Sequence, residues 1–95
     1  MSAYLQINLN IQEKNRPAAA EVYNKYKEPF LNQINGAQAK QLLVRDEDIQ
    51  VLHRFEKRED AQNYLNSDLF TADVVEALKP FLEAEPDIRI YDVAG

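Results

Sequence analysis

The stretch AKQLLVRDEDIQVLHRFE, residues 39–56, decides the fold because it has the form of two strands joined by a short polar turn. From residue 49 to residue 56 apolar and polar side chains alternate, which is typical of a strand with one buried face. The denser apolar run at residues 42–44 predicts another strand over residues 39–45, covered on both faces and therefore interior. The acidic turn Asp46-Glu47-Asp48 is short enough to join the two as an antiparallel hairpin. One face of the later strand carries Ile49, Val51, His53 and Phe55.

After residue 56 the spacing of apolar side chains changes from two residues to about 3.6, which predicts helix. The polar residues 66–68 divide this region into a short helix and a longer one. Ser67 or Thr71 is expected to cap the longer helix. A final strand is predicted over residues 88–93. The inward faces of the two helices carry Ala61, Tyr64, Leu65, Phe70, Val74, Ala77, Leu78 and Phe81.

The chain before residue 39 predicts one strand and one long helix. Residues 5–11 alternate between apolar side chains and amides, as a half-buried strand does. Asn15-Arg16-Pro17 predicts a helix start, with Asn15 as the cap and Pro17 in the first turn. Pro29 predicts a kink or a restart, and Asn35-Gly36 predicts the end of the helix through a left-handed glycine. The inward stripe of this helix is Ala19, Val22, Tyr23, Tyr26 and Phe30.

The element order βαββαβ predicts one α+β domain over residues 1–95. It is typical of the ferredoxin-like arrangement, a four-stranded antiparallel sheet with both helices on one face. The other face of that sheet stays uncovered. Because a domain of this size buries only about 60 to 65% of the surface its unfolded chain exposes, a second copy is expected to cover it.

Composition excludes several classes of protein. Sixteen acidic and eleven basic residues give a net charge of −5, and no unopposed basic stripe is present, so nucleic acid is not an expected partner. With no cysteine there is no disulfide framework or thiolate metal site. No apolar run approaches the roughly 20 residues that span a bilayer. A cytoplasmic protein that neither enters a membrane nor binds a metal is expected.

His53 is the only histidine, and it shares a face with apolar residues. The ordinary pKa of histidine, near 6.5, would let a partly buried ring act as a base or hydrogen-bond switch at neutral pH. A hydrogen-bonded core histidine fits the same pattern. A zinc or haem-type site is not expected, since no second histidine or cysteine could complete it.

Three segments resemble a known family: VLHRFE at 51–56, AQNYLNSDLF at 61–70 and PDIRIY at 86–91. They are similar to the dimeric α+β barrel superfamily, and within it to the antibiotic biosynthesis monooxygenase-like domains. The resemblance covers residues 5–93. It implies a homodimer in which two sheets pack face to face as a barrel, and a pocket in each protomer between helices and sheet.

The resemblance leaves two hypotheses about function. In one, the pocket binds a small hydrophobic or aromatic ligand without a reaction, or is filled by its own side chains, and the dimer is a binding or accessory protein. In the other, the protein is a cofactor-independent monooxygenase of a phenol or quinone, with His53 as the catalytic base. No cofactor is expected. Haem-degrading members of the superfamily carry a Trp at the position of Tyr64 and an axial His near the positions of Asp73 and Val74, and this chain has neither. In both hypotheses the pocket is lined by Tyr23, Tyr26, Phe55, Tyr64 and Phe70.

Overall fold

A four-stranded antiparallel sheet is the centre of the computed structural model, which describes residues 1–95. Its strands are β1 (Ala3–Leu9), β2 (Ala37–Val44), β3 (Ile49–Phe55) and β4 (Asp87–Asp92). Their order across the sheet is β2-β3-β1-β4, with every neighbouring pair antiparallel. The helices lie against one face, so the predicted ferredoxin-like α+β fold is confirmed.

The prediction that β2 is an interior strand is wrong. β2 lies at an edge, paired only with β3. Its apolar run does not reflect burial on both faces: Leu42 packs against the core, whereas Leu43 is 43% and Val44 64% exposed. The local density of apolar residues therefore gave a wrong prediction of the position of this strand in the sheet. Strand order depends on pairing between distant segments, which local density does not report.

The long helix α1 (Arg16–Gln33) packs across the sheet, mainly against β2. It continues through Pro29 without a break. Asn15 does not cap it, which corrects the prediction. A 3₁₀ turn, Glu13–Asn15, precedes α1 and holds Asn15 at φ −98° and ψ −3°, outside the extended conformation that a capping side chain needs.

The end of α1 is fixed by Gly36, as predicted. Its φ of +78° lies in the left-handed region, where a side chain is disfavoured. A Cβ at this position would also collide with the carboxylate of Asp60, a buried residue of the next helix, α2 (Arg58–Leu65). The carbonyl oxygen of Gly36 accepts a hydrogen bond of 2.8 Å from the backbone N–H of Glu56. This glycine thus joins α1, β3 and α2 at one point.

The second helical region is irregular. After α2 comes a π-helical turn, Leu69–Val74, then α3 (Val75–Leu78) and a 3₁₀ turn, Lys79–Phe81. Ser67 caps the start of this region, as predicted: its hydroxyl accepts a hydrogen bond of 3.2 Å from the backbone N–H of Phe70. No helix of the chain is both long enough and apolar enough to cross a membrane.

The core lies between the sheet and the helices. Rings of Phe30, His53, Phe55 and Tyr64 contact one another there, with centroid separations from 5.0 to 6.4 Å. Phe30 meets the other three at interplanar angles of 65 to 83°, the edge-to-face geometry that aromatic pairs prefer. This cluster, contributed by α1, β3 and α2, fixes the helices on the sheet.

Candidate functional site

A cavity of about 50 Å³ lies between the inner face of the sheet and the helices, next to the aromatic cluster. Fourteen of the seventeen residues that line it are hydrophobic. They come from the strands, α1, α2, the irregular segment 69–82 and Pro86, which precedes β4. An apolar cavity with a few convergent polar groups is the usual form of a small-molecule site. Polar side-chain atoms are present in Lys40, in His53 and in two of the fourteen, Tyr23 and Tyr64.

His53 lines the cavity and has 1% of its surface exposed. Its Nδ1 is 3.2 Å from the carbonyl oxygen of Leu5, which sits directly opposite it on β1. Because a carbonyl only accepts hydrogen bonds, Nδ1 carries the proton and Nε2 is left as the unprotonated nitrogen. Burial, and secondarily the charge of Lys40, lower the pKa of His53 to about 3. The imidazole is therefore neutral at pH 7 and a weak proton acceptor.

Lys40 is the functional candidate that the sequence analysis missed. It is 4% exposed and directly opposite His53 across the β2–β3 pair, so both side chains leave the same face. Its Nζ lies 5.3 Å from the ring centroid of Phe30 and 5.6 Å from that of Tyr23. None of the salt bridges in the structure includes Lys40. Burial alone lowers its pKa to about 8.

A signal for Lys40 was present in the sequence. Lys40 and Leu42 are two residues apart in a strand, so they must share a face, and Leu42 is apolar. The assumption that β2 was covered on both sides concealed this alternation. A strand with one inward face would have pointed Lys40 at the helices.

Two tyrosines complete the polar lining. The hydroxyl of Tyr23, on α1, donates a hydrogen bond of 2.6 Å to the backbone carbonyl of Lys40 and so ties the helix to β2. Tyr64, on α2, is 1% exposed and its hydroxyl has no hydrogen-bond partner. Burial raises the pKa of Tyr64, which keeps the phenol protonated. An unsatisfied buried hydroxyl is uncommon in native proteins and calls for an explanation.

The structure brings together most of the residues proposed from sequence. Tyr23, Tyr64 and Phe70 line the cavity together with His53. Two positions differ from the expected lining. Phe55 is fully buried behind the cavity in the aromatic cluster, and Tyr26 is only partly buried on α1. The inward stripe of α1 thus extends beyond the cavity.

The described side chains offer little to a metal ion. No group of three or more His, Cys, Asp or Glu residues is placed to hold one. Within the cavity, His53 is the only one of these residue types. Its Nε2 could supply one ligand, which is fewer than a protein metal site needs.

Comparison with known proteins identifies the fold. No protein-family model and no curated protein matches the sequence. Solved structures do match. One from Caulobacter crescentus, described as a "putative antibiotic biosynthesis monooxygenase", has a TM-score of 0.84 at 16% identity over 99% of this chain and 91% of its own. A protein from Bordetella bronchiseptica with the same description has a TM-score of 0.85 at 8% identity, over 98% and 97%.

A third structure, from Bacteroides fragilis, is described as a dimeric protein of unknown function with a ferredoxin-like fold. It has a TM-score of 0.77 at 11% identity over 97% of this chain and 96% of its own. This chain thus has a ferredoxin-like α+β fold. It shares this fold with the structures described as putative antibiotic biosynthesis monooxygenases, so the resemblance found in the sequence is confirmed at the level of the fold.

Proposed function

We propose that this protein binds a small hydrophobic or aromatic ligand in the cavity between its helices and its sheet. The observation that carries the proposal is the polar lining of an otherwise apolar cavity. A buried lysine without an ion pair and a buried tyrosine hydroxyl without a partner both oppose folding. Groups of this kind are concentrated at functional sites, where a ligand satisfies them.

The size of the cavity sets a condition on binding. About 50 Å³ has room for a few water molecules, whereas a cavity of about 150 Å³ is needed to admit benzene. A ring therefore enters only if one lining side chain moves. Phe70 is suited to this because it lies in the π-helical turn, a geometry frequently associated with functional sites, and its ring contacts Tyr64 at a centroid distance of 5.2 Å.

The Phe70→Ala substitution tests the proposal. It removes a ring from the cavity wall, so we expect calorimetric titration with phenol or naphthalene-sized probes to show at least about tenfold tighter binding than in the original chain. Phe81→Ala is the matched control, because Phe81 packs against the core from the same segment without lining the cavity. Equal, negligible binding by all three proteins would contradict a ligand site here.

A second candidate is a cofactor-independent monooxygenase acting on a phenol or quinone. It is supported by the names of the structural neighbours and by the position of His53 in the cavity lining, although the low pKa of His53 makes it a weak base in the free protein. In such a reaction a phenol and O₂ give a quinone and water, so one oxygen atom enters the ring. Oxygen uptake with phenols that disappears in His53→Asn, while folding is retained, would favour this candidate over simple binding. Absence of uptake in the original chain would exclude it for those phenols.

The protein is also proposed to be a homodimer that pairs the outer faces of its sheets. Helices cover only the inner face, and the outer face carries Leu52, opposite Gln6 and Gln41, beside the aromatic residues Tyr4 and Tyr91. Tyr91 is 48% exposed in the single chain. Arg54 and Arg89 share this face, opposite Tyr4 and Gln6. A surface that mixes apolar, amide and charged side chains fits a symmetric contact between two copies.

A further inference from the structure

The polar part of the cavity lining has a charge and hydrogen-bonding pattern that the apolar walls do not explain. Lys40 and His53 face each other across β2 and β3, with Leu5 opposite His53 on β1, so the three form one row on the inner face of the sheet. The lysine has aromatic rings beside its Nζ but no carboxylate. A buried cation usually requires a negative partner. The chain does not provide one.

The polar groups that line the cavity differ in whether their hydrogen-bond donors already have an acceptor in the protein. Tyr23 already donates its hydroxyl proton to the backbone of Lys40, and His53 donates Nδ1–H to Leu5. The Tyr64 hydroxyl is a buried donor without an acceptor, and the Lys40 ammonium makes no salt bridge with any carboxylate. Lys40 and Tyr64 both line the cavity, and the Lys40 ammonium and the Tyr64 ring both lie beside the ring of Phe30. Two free donors beside an apolar space are complementary to a single oxygen anion.

We infer that the ligand of this cavity is an apolar acid, a flat hydrophobic molecule with one ionised oxygen group that pairs with Lys40 and accepts a hydrogen bond from Tyr64. This inference rests on the proposed ligand-binding function and adds the chemical class of the ligand. A carboxylate and a phenolate share the required chemistry. The hydrocarbon body occupies the apolar part of the cavity, beside Phe70 and Val74.

A carboxylic acid and a phenol differ in the number of protons that are taken up or released when they bind. A carboxylic acid is already ionised at neutral pH, so it binds the protonated lysine directly. A phenol is protonated, so its O–H bond must break as it pairs. The proton passes to the amine of a neutral Lys40, where an N–H bond forms, or leaves to water when Lys40 is already protonated. Both routes end in the same ammonium–oxyanion pair and conserve charge.

Calorimetric titration with benzoate, phenol and neutral benzamide tests the inference. We expect the original chain to bind benzoate at least about 30-fold more tightly than benzamide, because truncating one partner of a buried charge pair has effects of this size. Lys40→Met keeps the side-chain length, removes the charge and should abolish the preference. Lys27→Met is the matched control, since its Nζ also lies 5.6 Å from the Tyr23 ring centroid but Lys27 does not line the cavity.

Proton exchange on binding gives a second readout. Titrations at pH 8 in buffers of different ionisation enthalpy measure the protons exchanged. With Lys40 about half protonated at this pH, benzoate should take up roughly half a proton and phenol should release roughly half a proton. In Lys40→Met the uptake with benzoate should vanish. Uptake and release of opposite sign would also distinguish carboxylates from phenols as ligands.

The possible failures are separable. If benzoate and benzamide bind equally and Lys40→Met changes neither, the inference about the acid is overturned while the ligand site stands. If no aromatic probe binds any variant, including Phe70→Ala, the proposed function fails as well. Chemical unfolding of Lys40→Met at pH 7 verifies that the variant is folded, and removal of an unpaired buried charge is not expected to destabilise it.

Discussion

Acid should destabilise this protein through His53 in particular. The ring is buried and neutral in the folded chain with a pKa of about 3, whereas in the unfolded chain its pKa is about 6.5. As pH falls below 6.5 the unfolded chain binds a proton that the folded chain refuses until about pH 3, so stability is lost over this range. The full difference corresponds to about 5 kcal/mol, of which about 2.5 kcal/mol should be lost between pH 7 and pH 4.5.

Guanidinium chloride unfolding at pH 7 and pH 4.5, at one fixed protein concentration, measures this loss. Carboxylates also titrate in this range, so His53→Asn provides the reference: its side-chain amide can still donate to the carbonyl of Leu5 but does not titrate. The original chain should lose about 2.5 kcal/mol more than the variant between the two pH values. An equal loss in both proteins would show that His53 is not held neutral and would refute the account of the site.

Three further substitutions test other parts of the structure. Lys40→Met should raise the free energy of unfolding at pH 7 by up to about 3 kcal/mol. The original chain should become more stable from pH 8 to pH 10.5, where its folded form has lost the proton of Lys40, and the variant should not. A variant less stable than the original chain would contradict an unpaired buried charge. Gly36→Ala should cost about 1 to 3 kcal/mol, because φ is +78° and the methyl group would meet Asp60; an unchanged melting temperature would contradict this. Leu52→Glu places charges on the proposed dimer surface. In sedimentation velocity experiments at micromolar concentration the variant should be a monomer, and the original chain should be a dimer. A monomeric original chain would refute the proposed dimer.

The sequence predicted the architecture well where local periodicity carries the information. Alternation over residues 49–56 identified β3, and the 3.6-residue spacing identified α1 and the helices after β3. The left-handed Gly36 and the capping Ser67 were also predictable, because each depends on the conformational preference of one residue. Asn15 was not, since the 3₁₀ turn before α1 overrides its preference as a cap.

The candidate site was only half visible from sequence. His53 was found because it is a rare residue type in an apolar pattern. Its neutral state and the hydrogen bond to Leu5 depend on a residue 48 positions away in the chain, which only the register of β1 against β3 brings opposite. The role of Lys40 was hidden for a related reason. A lysine in a strand normally faces water, and the alternation of Lys40 with Leu42 was overlooked because β2 was expected to be covered on both faces, whereas it is an edge strand beneath α1.

By itself, then, the sequence determined the elements, their order and hence the ferredoxin-like class, because the period of apolar side chains reports directly which face of each segment avoids water. Only the tertiary structure decided which polar side chains meet inside. Burial and the loss of hydration shift the pKa values of Lys40, His53 and Tyr64 in the folded chain. These shifts arise from the surroundings that distant segments create, and no local pattern encodes them.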